Sequence, residues 1–179
     1  MSTVISNEPN QCLSQEFDEL FREHYTLVYR SAFSVVFNAE DAEDVVQTVF
    51  LRILRNGLPA GATNPKGYLY RAAVNEALNV IRSRRHTQNA PRTQFERIAD
   101  VGLTEHGASM SARIAEAMAQ LRPSAVEMLV LRYEHNYSDL EIARMLGKSR
   151  GVVAVALYRA RAQLKKLLST SSSATGGRQ

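Results

Sequence analysis

Nearly all the periodic signal in this 179-residue chain is helical, which confines it to an all-α fold. Leu13, Phe17, Leu20, Phe21 and Val28 recur at three and four residues, and so do Ala42, Val45, Val46, Val49, Phe50 and Ile53. From Pro65 to Arg85 the same spacing puts Leu69, Tyr70, Ala73, Val74, Ala77, Leu78 and Ile81 on one broad apolar stripe, as in a helix packed on its neighbours. Start signals agree with these periods. Asn38 precedes an acidic first turn, and Asn64 before Pro65 is an N-cap with proline at the first helical position. Three helices therefore make a first unit over residues 11–86, after a flexible N-terminus at 1–10.

Between Thr87 and Ser109 the composition turns to Thr, Gln, Asn, Pro, Gly and Ser, as in a flexible linker, bounded here at 87–111. Phe95, Ile98 and Val101 are spaced for one short amphipathic turn within it. Helical spacing resumes with Ile114, Met118 and Leu121, continues through Val126, Leu129, Val130 and Tyr133, and ends with Val153, Leu157, Ala160, Leu164 and Leu167. Ser124 with Glu127, and Ser138 with Glu141, each fit a capping box. A second small helical domain at 112–168 results, followed by a low-complexity tail at 169–179 that reads as disordered.

Composition narrows the function. A hydrophobic content of 45% is that of a globular protein, and the single cysteine, Cys12, excludes an intramolecular disulfide and a cysteine zinc cluster. The start, MSTVISNEPNQ, has neither a basic nor an apolar region of a signal peptide, and no apolar run approaches the ~20 residues of a membrane span, so a cytoplasmic protein is expected. His24, His86, His106 and His135 are scattered, and Gly147-Lys148 lacks the upstream glycine of a phosphate loop. No enzyme, metal site or cofactor is expected.

The polar face of the Pro65–Arg85 helix carries the chemistry. Opposite the apolar stripe, Tyr68, Arg71, Asn75, Asn79 and Arg82 fall within a narrow arc that runs into the cluster Arg82, Arg84 and Arg85. Rings and guanidinium planes stack on unpaired bases, amides hydrogen-bond base edges and the basic end attracts phosphates, so single-stranded nucleic acid is the natural ligand. The alternative is a solvated face that happens to be basic. Charge supports the first reading. Residues 66–86 hold five cations against one acid, an excess of +4 equal to that of the whole chain.

Two further patterns stand out. From Ser138 to Leu168 (SDLEIARMLGKSRGVVAVALYRARAQLKKLL) a short helix ends at Gly147, and Ser149 can cap a longer one. That is the geometry of a helix-turn-helix, or of an αα-hairpin with no DNA role. Arg150, Arg159, Arg161, Lys165 and Lys166, with no acid between Arg150 and Leu168, favour DNA. Earlier, Glu40, Asp41, Glu43 and Asp44 complement a helix N-terminus. Charge at a helix end does not explain the outward row Asp44, Gln47, Leu51 and Arg55, which sets a leucine among polar residues as a protein-contact surface does.

FDELFREHYTLVYR, DAEDVVQTVFLRILRN, GYLYRAAVNEALNVIRSRR, LRPSAVEMLVLRY and the helix-turn-helix follow in order, and together they resemble an extracytoplasmic-function (ECF) sigma factor. The resemblance covers 11–86 and 112–168. It implies two helical domains, a three-helix sigma region 2 and a helix-turn-helix sigma region 4, that bring RNA polymerase core to promoter DNA. By resemblance, Asp44, Gln47, Phe50 and Leu51 face polymerase. The loop 56–66 with Tyr68, Arg71, Asn75 and Asn79 melts the minus-ten element and holds its single-stranded non-template strand, beside the phosphate-contacting Arg82, Arg84 and Arg85. The minus-thirty-five element falls to Ser149, Arg150, Val152, Val155, Tyr158, Arg159, Arg161 and Lys165. The linker is implied to thread the polymerase channel, and an anti-sigma factor is an expected further partner.

One departure bears on specificity. Where the family usually has a Gly-Thr-Val-Lys-Ser-Arg run, this chain has Gly151, Val152, Val153, Ala154, Val155 and Ala156. Two rival functions make different predictions. A helix-turn-helix regulator would bind duplex DNA tightly without polymerase, and a helical module that sequesters a partner would bind no nucleic acid at all.

Overall fold

The computed structural model describes residues 8–60, 62–88 and 105–175, with side chains over 15–60, 62–85 and 110–170. Seven helices make up these described residues: α1 (Glu8–Val36), α2 (Ala39–Asn56), α3 (Pro65–Gln88), α4 (Glu105–Ala119), α5 (Pro123–Tyr133), α6 (Asp139–Leu146) and α7 (Arg150–Thr175). The all-α reading holds. The amphipathic turn expected at Phe95, Ile98 and Val101 lies outside the described residues, as do most of the linker and both extreme ends.

Local chemistry sets most of the helix ends. Asn38 Oδ1 accepts the Asp41 N–H at 3.0 Å, and Asn64 Oδ1 accepts the Gly67 N–H at 2.8 Å. Ser138 and Glu141 form a reciprocal capping box, and two hydrogen bonds from Ser138 hold the Glu141 carboxyl below its usual range. At the other end of α6, Gly147 takes a left-handed φ of 65°, which turns the chain into α7.

Three expectations are corrected. No capping box forms between Ser124 and Glu127, because α5 begins at Pro123 and Glu127 lies beyond its first turn. The region from Ser169 to Thr175 is helical, not disordered. There, Ser169 and Thr170 hydroxyls donate back to the Lys166 carbonyl, which satisfies them within the helix. The helices also run further into the linker than expected, α3 to Gln88 and α4 from Glu105.

The first three helices pack around Val28, Val35, Val45, Val49, Leu69, Val74 and Leu78, and the last four around Leu121, Val126, Leu131, Ile142 and Val153. These belong to one continuous core, because the two halves close on each other across α3. The Tyr70 hydroxyl donates to the Glu127 carbonyl, and Lys66 Nζ stands 5.6 Å from the centre of the Tyr137 ring. Arg30 grips Glu134 through its carboxylate at 2.8 Å and its carbonyl at 3.0 Å. Gly67, buried in the first turn of α3, lies where a Cβ would come within 2.8 Å of the Met145 carbonyl and of the Asn64 amide.

His135 makes this closure depend on pH. Its Nε2 is 2.9 Å from Ser31 Oγ, its ring meets Tyr70 edge-on, and Arg30, Glu134, Lys66 and Tyr137 surround it. Burial, and then the Arg30 charge, hold the imidazole below its ordinary value. The neutral ring is therefore the form that packs. Its support for closure is complete above about pH 6.5 and is lost as pH falls through the lowered value. Glu127 works in the opposite sense, since burial raises its carboxyl and protonation relieves that burial. Small-angle scattering should show the chain expanding only as pH falls below about 6.5, with its helicity retained. His135→Gln should abolish that response; an unchanged response in this variant would rule out the histidine.

Candidate nucleic-acid and polymerase surfaces

The polar arc of α3 forms as the periodicity predicts, but it is not free. Arg71 and Asn79 are exposed, whereas Tyr68 and Asn75 are half-buried. Against Asn75 lies Glu127 of α5, only 7% exposed and the one buried acid among the described residues. Asn75 hydrogen-bonds its carboxylate, and Arg71 and Lys148 place positive charge nearby. Burial outweighs all three and raises the carboxyl above its usual range.

The basic end of α3 is engaged as well. Arg82 donates to the carbonyls of Ala119 at 3.2 Å and Leu121 at 3.3 Å, where α4 ends. Arg84 pairs with Asp41 of α2, whose carboxyl burial raises despite that partner. Arg85 pairs with Glu116 of α4 at 3.2 Å. All three arginines expected on phosphates have protein partners in this closed arrangement, two of them because the second domain brings acceptors within their reach.

On α2 the outward row is real. Asp44, Gln47 and Leu51 are exposed, and so is Leu54, at 58% the most open leucine named in that helix. Sequence reasoning misses Leu54, although its spacing of three from Leu51 marks the same strip. Phe50 is corrected. At 3% exposure it packs its ring against Phe21, 4.8 Å between centres, and edge-on to Phe17 at 6.3 Å. It stiffens α2 from within and offers no surface.

Every residue expected at the minus-thirty-five element is exposed, but they divide between two flanks of α7. Val152 and Val155, 54% and 51% exposed, line an 810 Å³ groove with Arg122, Ser124, Met128 and Arg159. Arg161 and Lys165 instead line a separate groove with Met110, Arg113, Leu129, Tyr133 and Leu164. Ser149 Oγ accepts the Val152 N–H at 3.4 Å, so it also helps to start the helix. Among the described residues no three His, Cys, Asp or Glu side chains gather as a metal site, and no helix is long and apolar enough to cross a membrane.

Comparison with known proteins places both halves. The family pattern described as Sigma-70 region 2 matches residues 20–87, and that of Sigma-70, region 4 matches 111–164. The ECF RNA polymerase sigma factor SigE of Mycolicibacterium smegmatis is 31% identical, with 97% of this chain and 70% of that protein covered. The ECF sigma factor SigM of Mycobacterium tuberculosis is 32% identical over 85% of this chain and 76% of its own length. Among solved structures, CnrH in complex with the cytosolic domain of CnrY shares the fold, with a TM-score of 0.51, 24% identity, and 90% and 94% of the two chains covered. With both sigma regions in order and relatives aligned over nearly the whole length, the chain belongs to the ECF RNA polymerase sigma factors.

Proposed function

We propose that this ECF sigma factor carries RNA polymerase core to its promoters through three surfaces, each assigned by residue. Asp44, Gln47, Leu51 and Leu54 on α2 meet polymerase. Tyr68, Arg71, Asn75 and Asn79 capture the non-template strand of the minus-ten element, with Arg82, Arg84 and Arg85 on adjoining phosphates. The exposed face of α7 docks on the minus-thirty-five duplex. The observation that carries this reading is the single helix α3, whose buried stripe anchors a polar arc of stacking and amide groups. The domain limits, 11–86 and 112–168 with a linker between, are part of the same proposal.

Melting needs no chemistry of the chain's own. Each captured base contributes ~1–3 kcal/mol, similar to the stacking lost per step, so a few captured bases hold a bubble that core polymerase helps to form. The proposed location is the cytoplasm, and an anti-sigma factor is a proposed partner on the family resemblance alone. Reconstitution with core polymerase on fragments of the source genome tests the whole reading. Discrete promoter transcripts are expected. Tight duplex binding without polymerase would favour the helix-turn-helix regulator instead.

The recognition helix leads to a sharper expectation. Its open face offers Val152 and Val155, which can touch thymine methyls but cannot form bidentate bonds to base edges. A missing bidentate pair removes ~1–3 kcal/mol of discrimination, so α7 positions through phosphates more than it reads sequence. The minus-thirty-five element should therefore be weakly specified. Ala154→Lys with Ala156→Arg should raise duplex affinity, each newly neutralised phosphate steepening the salt dependence by about 0.9. Single-base scanning of a promoter checks this: upstream changes as costly as minus-ten changes would refute it.

A further inference from the structure

The open crest of α7 is apolar where a reader of base edges needs donors and acceptors. Gly151, Val155, Tyr158 and Ala162 lie opposite the buried stripe of Val153, Leu157 and Ala160, with Val152 beside them. Tyr158, at 69%, is the most exposed large hydrophobic side chain among the described residues. A Cβ at Gly151 would meet nothing of the chain within 4 Å, so the backbone there is open to close approach from outside.

What surrounds this crest suits a polyanion. Between Arg150 and Leu168 the chain has five cations and no acid. Across the groove from Val152 and Val155 stand Arg122 and Ser124 at the start of α5, a charge and a hydroxyl fitted to a phosphate. On the major-groove edges of the four base pairs, the apolar group is the C5 methyl of thymine.

We propose that Val152 and Val155 read methyl groups, so that the minus-thirty-five elements of this sigma factor are marked by thymine C5 methyls and not by base-edge donors and acceptors. This rests on the docking of α7 assigned under Proposed function. Each valine presents two methyls on a stiff stem. Three residues apart, the pair spans about 4.5 Å of helix, comparable to the ~3.4 Å between stacked base pairs. One buried methyl is worth roughly fourfold in affinity, so each position stays weakly specified while the element as a whole is biased toward thymine. 5-Methylcytosine carries the same methyl at the same place and is accepted there in preference to cytosine.

The test uses holoenzyme on a promoter that the reconstituted enzyme transcribes, with uracil replacing thymine in the upstream element alone. Uracil pairs as thymine does and lacks only the methyl. In competition binding, affinity should fall roughly fourfold for each methyl contacted. At a contacted position, 5-methylcytosine should bind more tightly than cytosine. Val152→Ala with Val155→Ala removes only exposed methyl groups and favours the helix, so its folding is secure. That variant should bind thymine and uracil promoters alike. Equal binding of the two promoters by the unaltered chain overturns the methyl reading and leaves the valines to a protein partner. A uracil penalty that persists in the double variant also overturns it, because the penalty then belongs to the shape of the duplex. Where uracil carries no penalty, Arg159→Ala with Arg161→Ala and Lys165→Ala shows which proposal has failed. Weakened promoter binding removes the methyl reading alone, whereas undiminished binding removes the docking of α7 and the methyl reading with it.

Discussion

Asp44→Arg combined with Leu51→Glu should weaken binding to core polymerase roughly 100-fold, the equivalent of about 2.7 kcal/mol. Both side chains stand on the open side of α2, away from the buried row of Val45, Val46, Val49, Phe50 and Ile53. One change reverses a charge and the other puts a carboxylate where an apolar contact is proposed, and both act through desolvation at an interface. Stability should fall by no more than about 1 kcal/mol, because neither lies in the core. Binding is read by competition for core enzyme and stability by thermal melting. Unchanged affinity from a folded variant would remove α2 as the docking surface. Leu54→Glu provides an independent check, since its more open side chain belongs to the same strip.

Replacing Asn75 and Asn79 with alanine should leave polymerase binding intact and reduce open-complex formation by about 100-fold or more, given ~1–3 kcal/mol for each base whose capture fails. The apolar stripe of α3 is untouched, so the helix remains anchored by Leu69, Tyr70, Val74 and Leu78. Permanganate reactivity of promoter thymines reports the bubble directly. The measurement belongs in the holoenzyme, because in the free chain Asn75 also holds Glu127, and its loss there changes two things at once. Full thymine reactivity with the double variant would return this arc to an ordinary solvated face.

The sequence made the helices legible through apolar spacing, and several of them a second time through a cap residue. Asn38, Asn64, Ser138 and Gly147 end elements where their chemistry says they should. Ser124 and Glu127 show the limit. The spacing fits a capping box, but the helix starts at Pro123, two residues before a Ser124 cap would start it, and the glutamate is free to turn toward α3. Local spacing cannot reveal that, since its partners Asn75 and Arg71 are some fifty residues away in sequence. The same reason explains the basic cluster. Arg82, Arg84 and Arg85 read as free cations until the fold supplies acceptors from α2, from α4 and from the chain just beyond α4. Phe50 is ambiguous on paper, being on both the core stripe and the polymerase-facing segment, and only packing against Phe17 and Phe21 resolves it.

Gly67 has a consequence out of proportion to its size. A glycine in the first turn of a helix usually costs stability, and alanine there would improve helix propensity by about 1 kcal/mol. Here a Cβ would press on the Met145 carbonyl and on the Asn64 amide that donates to it. One methyl group therefore acts on two balances with opposite sign, firming the helix while wedging its neighbour away. The missing side chain is a clearance one carbon wide, and it lets the last turn of α6 lie directly against the first turn of α3.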